Sequence, residues 1–332
     1  MSETPSYRRQ KSKQFDRAFV ELGGQRFYLG TYGTPASRQK FHRLVAEWLA
    51  NDQQLPVEGK DLTIAELLIR FWRHAEQYYR KWYWRTGGAV ASSTENSVRL
   101  KNPVIEEVKR CPGSHLVIYA GTGAGQFALV DTAEDDTLKI RGRWQVIPDE
   151  TSRVAVVNGF EGNQILGNRV ERSTTGICLW GSSFQCQIIG NTLSDISGAA
   201  VAAFGLHLSA CKDAAGTQFP TLAPCWYTQI HSNTILRAVG KPDQAMIVLG
   251  YQKYPKKQPD PFTNYGNSVR GNTIFGAPTA VELDNQMQSE VVGNTLSACG
   301  AAIRLRATCK DCSVEPNTLI GCGTATTRPA GP

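Results

Sequence analysis

Apolar and polar positions follow two different rhythms along this chain. Near the start, Ala18-Phe19-Val20-Glu21-Leu22 and Gln25-Arg26-Phe27-Tyr28-Leu29-Gly30 alternate around Gly23-Gly24, which predicts a β-hairpin. Thr34 and Pro35 then suit the N-cap and first position of a helix, and Phe41, Leu44, Val45, Trp48 and Leu49 recur at helical spacing. Thr63 and Glu66 form a capping box for a second helix, whose apolar face is Leu67, Leu68, Phe71, Trp72, Ala75 and Tyr78. Beyond residue 82 the helical period is gone. Gly87 to Asn96 is small and polar and reads as a linker, and short β-type runs follow.

The second rhythm is a repeat. Six segments end a short strand on Asn and begin another directly after it, at Asn168, Asn191, Asn233, Asn272, Asn294 and Asn317. The intervals are 23, 42, 39, 22 and 23 residues, so two repeats carry insertions of some sixteen to nineteen residues. A further strand recurs nine or ten residues after most of these Asn, at Ile177–Leu179, Val201–Ala203, Val281–Leu283 and Ile303–Leu305. Three short strands per period predict a β-solenoid, in which stacking buries apolar sides that no single coil can bury alone. The Asn would then occupy one bend in every coil. A left-handed backbone is expected there, with the amides bonded from coil to coil in an internal ladder about 4.8 Å apart.

Composition narrows the function classes. The chain has 332 residues, 41% hydrophobic and 20% charged, enough for a sizeable core. No apolar run approaches a membrane span, and the N-terminal residues are polar and basic, unlike a secretory signal, so a cytoplasmic location is expected. Net charge is +7, of which residues 1–50 hold +5, from nine Lys/Arg against four acids. Arg8, Arg9, Lys11, Lys13 and Arg17 therefore form a basic arm suited to the phosphates of duplex DNA.

Phe27-Tyr28-Leu29-Gly30-Thr31-Tyr32-Gly33-Thr34-Pro35, Ala46-Glu47-Trp48-Leu49-Ala50-Asn51 and Leu62-Thr63-Ile64-Ala65-Glu66-Leu67-Leu68 through Tyr78-Tyr79 resemble the N-terminal DNA-binding region of tyrosine recombinases (phage-integrase-like) of planctomycete type. The resemblance covers residues 5 to about 81. It implies an arm domain and the start of a core-binding domain; the catalytic Arg, His and Tyr set has no counterpart, so an active recombinase is not expected. The Asn repeat is similar to the right-handed parallel β-helix of pectin-lyase-like proteins, again of planctomycete type. Tyr119-Ala120-Gly121-Thr122-Gly123-Ala124-Gly125-Gln126, Asp136-Thr137-Leu138 and Trp144 through Ser152 add to that likeness, and in such proteins they form a β-rich extension. The expected organisation is an integrase-like segment over 1–82, a linker over 83–97, a β-rich extension over 98–157, and a parallel β-helix over 158–332. Insertions are expected near 206–226 and 250–265. The fold class is mainly β, preceded by a small α+β segment.

Candidate chemistry is sparse. Gly121 to Gln126 lacks the Lys-Ser/Thr of a phosphate loop and reads as a tight turn. With Ile177, Leu179, Val281, Leu283, Ile303 and Leu305 pointing inward, Cys178, Trp180, Glu282, Asp284, Arg304 and Arg306 point outward. Glu282 should then face Arg304, and Asp284 should face Arg306. That makes either a surface ion ladder or an anionic-sugar site with an acid–base carboxylate. The two insertions should stand side by side as one wall of a groove. Their aromatics and cations, Trp226, Tyr251, Tyr254, Lys256 and Lys257, together with Trp180, suit carbohydrate, although packing onto the body is the plainer role. Cys309-Lys-Asp-Cys312, with Cys299 and Cys322, weakly suggests zinc, but the last two are stacked equivalents. Cys211 and Cys225 would pair only in an exported protein. No metal or cofactor is expected. The readings are a polysaccharide-binding β-helix module, with lyase or hydrolase activity as an extension, a DNA-binding remnant, and a non-functional gene-fusion product.

Overall fold

The computed structural model describes residues 5–11, 16–50, 86–238, 244–253 and 264–327. The second helix expected near 63–78, and the site candidates Lys13, Tyr254, Lys256 and Lys257, lie outside them. The chain divides into two compact units, Met1–Arg80 and Lys81–Pro332. Among the described residues, no helix is long and apolar enough to cross a membrane.

In the first unit, β1 (Arg8–Gln10), β2 (Arg17–Leu22) and β3 (Gln25–Thr31) form an antiparallel sheet in that order, and α1 (Pro35–Ala50) packs against it. The Thr34 hydroxyl accepts the Ser37 N–H at 3.3 Å, which caps α1. Ala18, Val20, Leu22, Phe27, Leu29 and Trp48 make a small core between helix and sheet. Of the basic arm, Arg8 and Arg9 lie on the edge strand β1, which pairs Arg8 to Phe19 and Gln10 to Arg17, and Arg17 opens β2.

The second unit opens with a barrel. β4 (Gly87–Thr94), β5 (Ser97–Leu100), α2 (Ile105–Val108), β6 (His115–Ala120), β7 (Phe127–Glu134), β8 (Thr137–Ile140) and β9 (Arg153–Val157) follow in sequence. The strands close in the order β4-β5-β8-β7-β6-β9, with antiparallel neighbours. Residues 87–94, expected as linker, are therefore a barrel strand. Their small side chains fit it: a Cβ on Gly87 would meet the Val154 carbonyl oxygen at 2.5 Å. Alternation gives β6 and β9 two working faces. Leu116, Ile118, Val154 and Val156 fill the barrel, while Val117, Tyr119, Ala155 and Val157 face the coils.

From Phe160 onward the chain winds into stacked coils whose equivalent strands pair in parallel. One sheet stacks Gln164–Leu166, Gln187–Ile189, Gln229–His231, Ser268–Arg270 and Glu290–Val292. A second stacks Arg169–Glu171, Thr192–Ile196, Thr234–Ala238, Thr273–Phe275, Thr295–Ser297 and Thr318–Ile320. The third runs from Ile177–Trp180 through Val201–Lys212, Ala245–Lys253, Thr279–Leu283 and Ala301–Leu305 to Thr324–Thr327. Ile188, Leu193, Ile230, Ile235, Ile274, Val281, Leu296 and Ile303 belong to one continuous core.

The six Asn line up inside this stack. Each of Asn168, Asn191, Asn233, Asn272 and Asn294 donates both its backbone N–H and its Nδ2 to the Oδ1 of the next, at 2.8–3.0 Å. From Asn191 onward, Nδ2 also donates to a carbonyl of the preceding coil, as in Asn233 to Ile188 O at 2.8 Å. The expectation of a left-handed Asn is corrected: the left-handed residue is the one before it. Gly167, Gly190, Gly271 and Gly293 take φ of 63° to 67°, and Ser232 takes 53°. The turn is made first, and the Asn starts the next strand with its amide inward.

Asn233 and Asn272 are fully buried, whereas Asn168 is exposed in the first coil. Replacing either buried Asn by Ala strands a backbone N–H and a carbonyl at about 1–3 kcal/mol each, so a loss of about 2–6 kcal/mol is expected in urea unfolding. Asn168→Ala should cost less than about 1 kcal/mol in the same measurement.

Candidate functional site

The outward residues of the third sheet come together in part. Glu282 lies in register with Arg304, and its carboxylate accepts from the Arg304 guanidinium at 2.8 Å. The expected Asp284–Arg306 pair is corrected. Arg306 instead reaches Glu282 with Nε and Nη2, at 3.0 and 2.9 Å, while Asp284 accepts the Thr308 hydroxyl at 2.7 Å. One carboxylate thus serves two guanidiniums, because two donors on Arg306 fit its remaining oxygen face. Burial raises the Asp284 pKa against the lowering pull of Thr308 and Arg306. Trp180 stands 56% exposed on the first coil, edge-on to Phe204 at 5.4 Å.

The two insertions leave neighbouring coils side by side, as expected, but the first packs onto the barrel, and residues 254–263 of the second lie outside the described residues. The first continues the strand Val201–Lys212 and returns as Gln218–Ala223, an antiparallel hairpin. The hairpin meets the barrel: Leu222 packs with Val117, Tyr119, Ala155 and Val157, and the Phe219 ring lies beside Gly87 and Gly88. The second insertion leaves the neighbouring coil beside it, Gly205 pairing with Tyr251 and His207 with Lys253. Trp226 is fully buried and unavailable to a saccharide. It belongs to a corner column of Phe184, Trp226 and Tyr265, on which β6 and β9 dock. Two hydroxyls lock the joint. Tyr265 donates to Tyr119 O at 3.0 Å and Tyr227 to Gly125 O at 2.7 Å. Gly125 is required there, because a Cβ would come within 3.0 Å of the Tyr265 ring, and its φ is 94°.

The docking leaves a cleft of about 600 Å³ between barrel and coils. The barrel contributes Gln126 to Leu129 and Arg141 to Gln145; the coils contribute Glu161, Gln185 and Tyr227. A second hollow of about 450 Å³ shares Gln185 and Tyr227 and adds Gln164, Gln187 and Gln229. Those three glutamines occupy one column of the first sheet. Nε2 of Gln164 donates to Gln187 at 3.1 Å, and that of Gln187 to Gln229 at 3.4 Å. Further along the column, Ser268 donates to Glu290 at 2.7 Å and meets His231 Nε2 at 2.9 Å. The Ser268 hydroxyl, with Arg270 behind it, holds the Glu290 carboxyl below its usual range.

His115 lies behind one lining residue of the cleft, Glu161. Its ring stacks on Phe184 at 4.6 Å, and Nε2 lies 3.2 Å from the Glu161 carboxylate. Burial lowers its pKa against the raising pull of Glu161. Sequence reasoning missed this cleft, although two signals were present. Gln stands four residues before the Asn in three successive repeats, and an aromatic stands seven before it in three.

In the first unit, the basic arm is partly spent on acids. Arg8 pairs with Glu21 at 2.9 Å, Arg9 pairs with Asp16, and Arg17 lies over the Tyr28 ring at 6.0 Å. Lys11 is exposed. No disulfide joins Cys211 to Cys225. Cys225 is fully buried and donates to Phe204 O at 3.2 Å. Among the described residues, no three or more His, Cys, Asp or Glu are grouped to hold a metal.

No protein-family model matches the chain, and no curated protein does. Solved structures similar to it include phage tailspikes. The tailspike protein gp49 from Pseudomonas phage LKA1 is 11% identical, with a TM-score of 0.31 over 72% of this chain and 41% of that one. The Pseudomonas phage phi297 tailspike gp61 is 10% identical, with a TM-score of 0.26 over 74% of this chain and 60% of that one. The gp54 tailspike of Acinetobacter baumannii bacteriophage AP22, solved with A. baumannii capsular saccharide, is 11% identical, with a TM-score of 0.27 over 75% and 59%. The chain thus spans 41% to 60% of these tailspikes. The parallel register of this chain's own strands defines the stacked coils.

Trp226→Ala should cost about 3–5 kcal/mol in urea unfolding, because it empties the joint, whereas Trp180→Ala should cost less than about 1 kcal/mol. His115 gives the joint a pH dependence. Its folded pKa lies below the ordinary 6.5, so the unfolded chain takes up a proton that the folded one resists. Stability should fall as pH drops below about 6.5, and His115→Gln should flatten that slope when unfolding is followed from pH 7.5 to 5.5.

Proposed function

We propose that the stacked coils form a right-handed parallel β-helix that binds polysaccharide, with the polymer seated in the cleft and along the glutamine column. One observation carries the reading. The two hollows share Gln185 and Tyr227 in their linings, and a column of amides, exposed at Gln164 and half-buried at Gln187 and Gln229, lines the second at coil spacing. Primary amides both donate and accept, as vicinal sugar hydroxyls do. Their repeat along the coils suits a repeating ligand. Tyr227 supplies an aromatic surface at the junction, and such mixed linings of a few polar groups with rings are usual for small-molecule sites. Arg141 and Arg143 stand at the rim, 70% and 75% exposed, at 3.4 Å from Asp131 and Glu95. Exposed pairs of that kind are worth about 0–1 kcal/mol and exchange readily for a ligand carboxylate, which favours an acidic polymer.

Glu282 is a weaker centre for chemistry. Two guanidiniums hold it, it lies on a different sheet, and it lines neither hollow. The first unit is left without a role in this reading.

Binding of the full chain to a panel of uronate-containing and neutral polysaccharides tests the proposal. Gln187→Ala combined with Gln229→Ala should weaken the best ligand by about tenfold, the worth of one or two hydrogen bonds. Glu282→Gln should leave it unchanged. Binding to no polymer, or equal binding by the glutamine variant, would refute the reading.

A further inference from the structure

Two outward columns of the first sheet run on past the glutamines. They are the positions four and two residues before each ladder Asn. In three coils the first column holds Gln164, Gln187 and Gln229, and in the next two it holds Ser268 and Glu290. The second column sets His231 beside Arg270, where earlier coils carry Leu166 and Ile189. The strands hold these side chains firmly, because Ile230, Val269 and Val291 between them are buried in the core. Ser268 and His231 are half-buried, and Gln229, one coil away, lines the second hollow.

The Ser268 hydroxyl is the centre of this group. It donates to Glu290 Oε1 at 2.7 Å, and His231 Nε2 lies 2.9 Å from it. Arg270 Nη2 donates to both Glu290 oxygens, at 2.8 and 3.0 Å, so hydroxyl and guanidinium meet at one carboxylate oxygen. Glu290 is a weak base, because the bonds from Ser268 and Arg270 hold its carboxyl below the usual range. His231 is the better proton acceptor. Burial and the Arg270 charge keep its pKa below the ordinary value against the pull of Glu290, so the ring is neutral at pH 7. With the ring proton on Nδ1, Nε2 accepts the Ser268 hydrogen after a turn of the O–H bond. A hydroxyl within reach of a neutral imidazole, with a cation next to it, is the arrangement that acyl transfer needs.

We propose that Ser268 is the nucleophile of an acyl-esterase site, with His231 as its base, acting on acyl esters carried by sugar hydroxyls. The choice of a sugar-borne ester rests on the polysaccharide reading above. A polymer lying along Gln164, Gln187 and Gln229 reaches Ser268 at the next coil, about 4.8 Å further on. Ser268 Oγ attacks the acyl carbon, and its proton passes to His231 Nε2. The Arg270 guanidinium offsets the negative charge that develops on the carbonyl oxygen. The bond from acyl carbon to sugar oxygen then breaks, and the sugar oxygen takes the proton from His231. Water next attacks the acyl-Ser268 ester, giving a proton to His231, and the Ser268 oxygen leaves with that proton. The sum is ester plus water to carboxylic acid plus a free sugar hydroxyl.

The test treats the full, unaltered chain with a fluorophosphonate, whose fluoride a nucleophilic serine displaces, and locates the label by mass spectrometry. The expected result is a label on Ser268 and on no other serine. A second arm follows acetate released from an O-acetylated polyuronate. Release should fall to background in Ser268→Ala, and by about a hundredfold or more in His231→Gln, the usual worth of a general base. Glu282→Gln should release acetate as the unaltered chain does. The site is disproved if the chain binds the acetylated polymer and releases no acetate, if release persists in Ser268→Ala, or if the probe labels other serines or none. A label on Ser268 in a chain that binds no polymer would uphold the nucleophile and overturn the polysaccharide reading instead. Circular dichroism of each variant separates loss of chemistry from loss of fold.

Discussion

A coil of this solenoid cannot satisfy its own buried asparagine. Each inward amide needs an oxygen from the coil below and a carbonyl from the coil above, and both exist only when the stack is in register. Leaving such groups unpaired in an apolar interior costs more than the bonds return when made. The ladder therefore acts mainly against slippage. A shift of one residue would turn Asn outward and the left-handed glycine into the strand. The apolar core supplies the driving force, and the amides decide which stacking is allowed.

That rigid stack is what allows a second domain to be fastened to it. At one corner the same turn presents Phe184, Trp226 and Tyr265 in a column, and two barrel strands lay alternate side chains against it. A strand with one face in its own core and the other on a neighbour has no solvent side, which is why β6 and β9 read as nearly unbroken apolar runs. The cleft is a by-product of this docking. Two convex bodies that touch along one line leave a wedge beside it, and here Gln185, Tyr227 and Glu161 open into that wedge.

How much of this is legible in the sequence depends on whether a feature repeats locally. The Asn period carries the coil length and the positions of the insertions, because each repeat restates the same strand–turn–strand pattern. The alternation at Val281–Leu283 and Ile303–Leu305 likewise marks which side chains face out. Contacts between distant segments leave no such trace. Nothing in Gly87 to Thr94 announces a barrel strand, since its small residues are selected by close approach to β9 and Phe219. Trp226 looks like a loop aromatic until Val117 and Ala155 are seen against it. The same holds for Arg306, which bonds Glu282 while Thr308 donates to Asp284.

The central claim, that the interior amides lock the register, is tested most directly by native-state hydrogen exchange of the full chain. The backbone N–H groups of Asn191, Asn233, Asn272 and Asn294 each donate to a side-chain oxygen of the next coil. They should be among the slowest to exchange and should open together, with one free energy. Exchange at these four positions as fast as at exposed turns, or with four unrelated opening energies, would contradict the account.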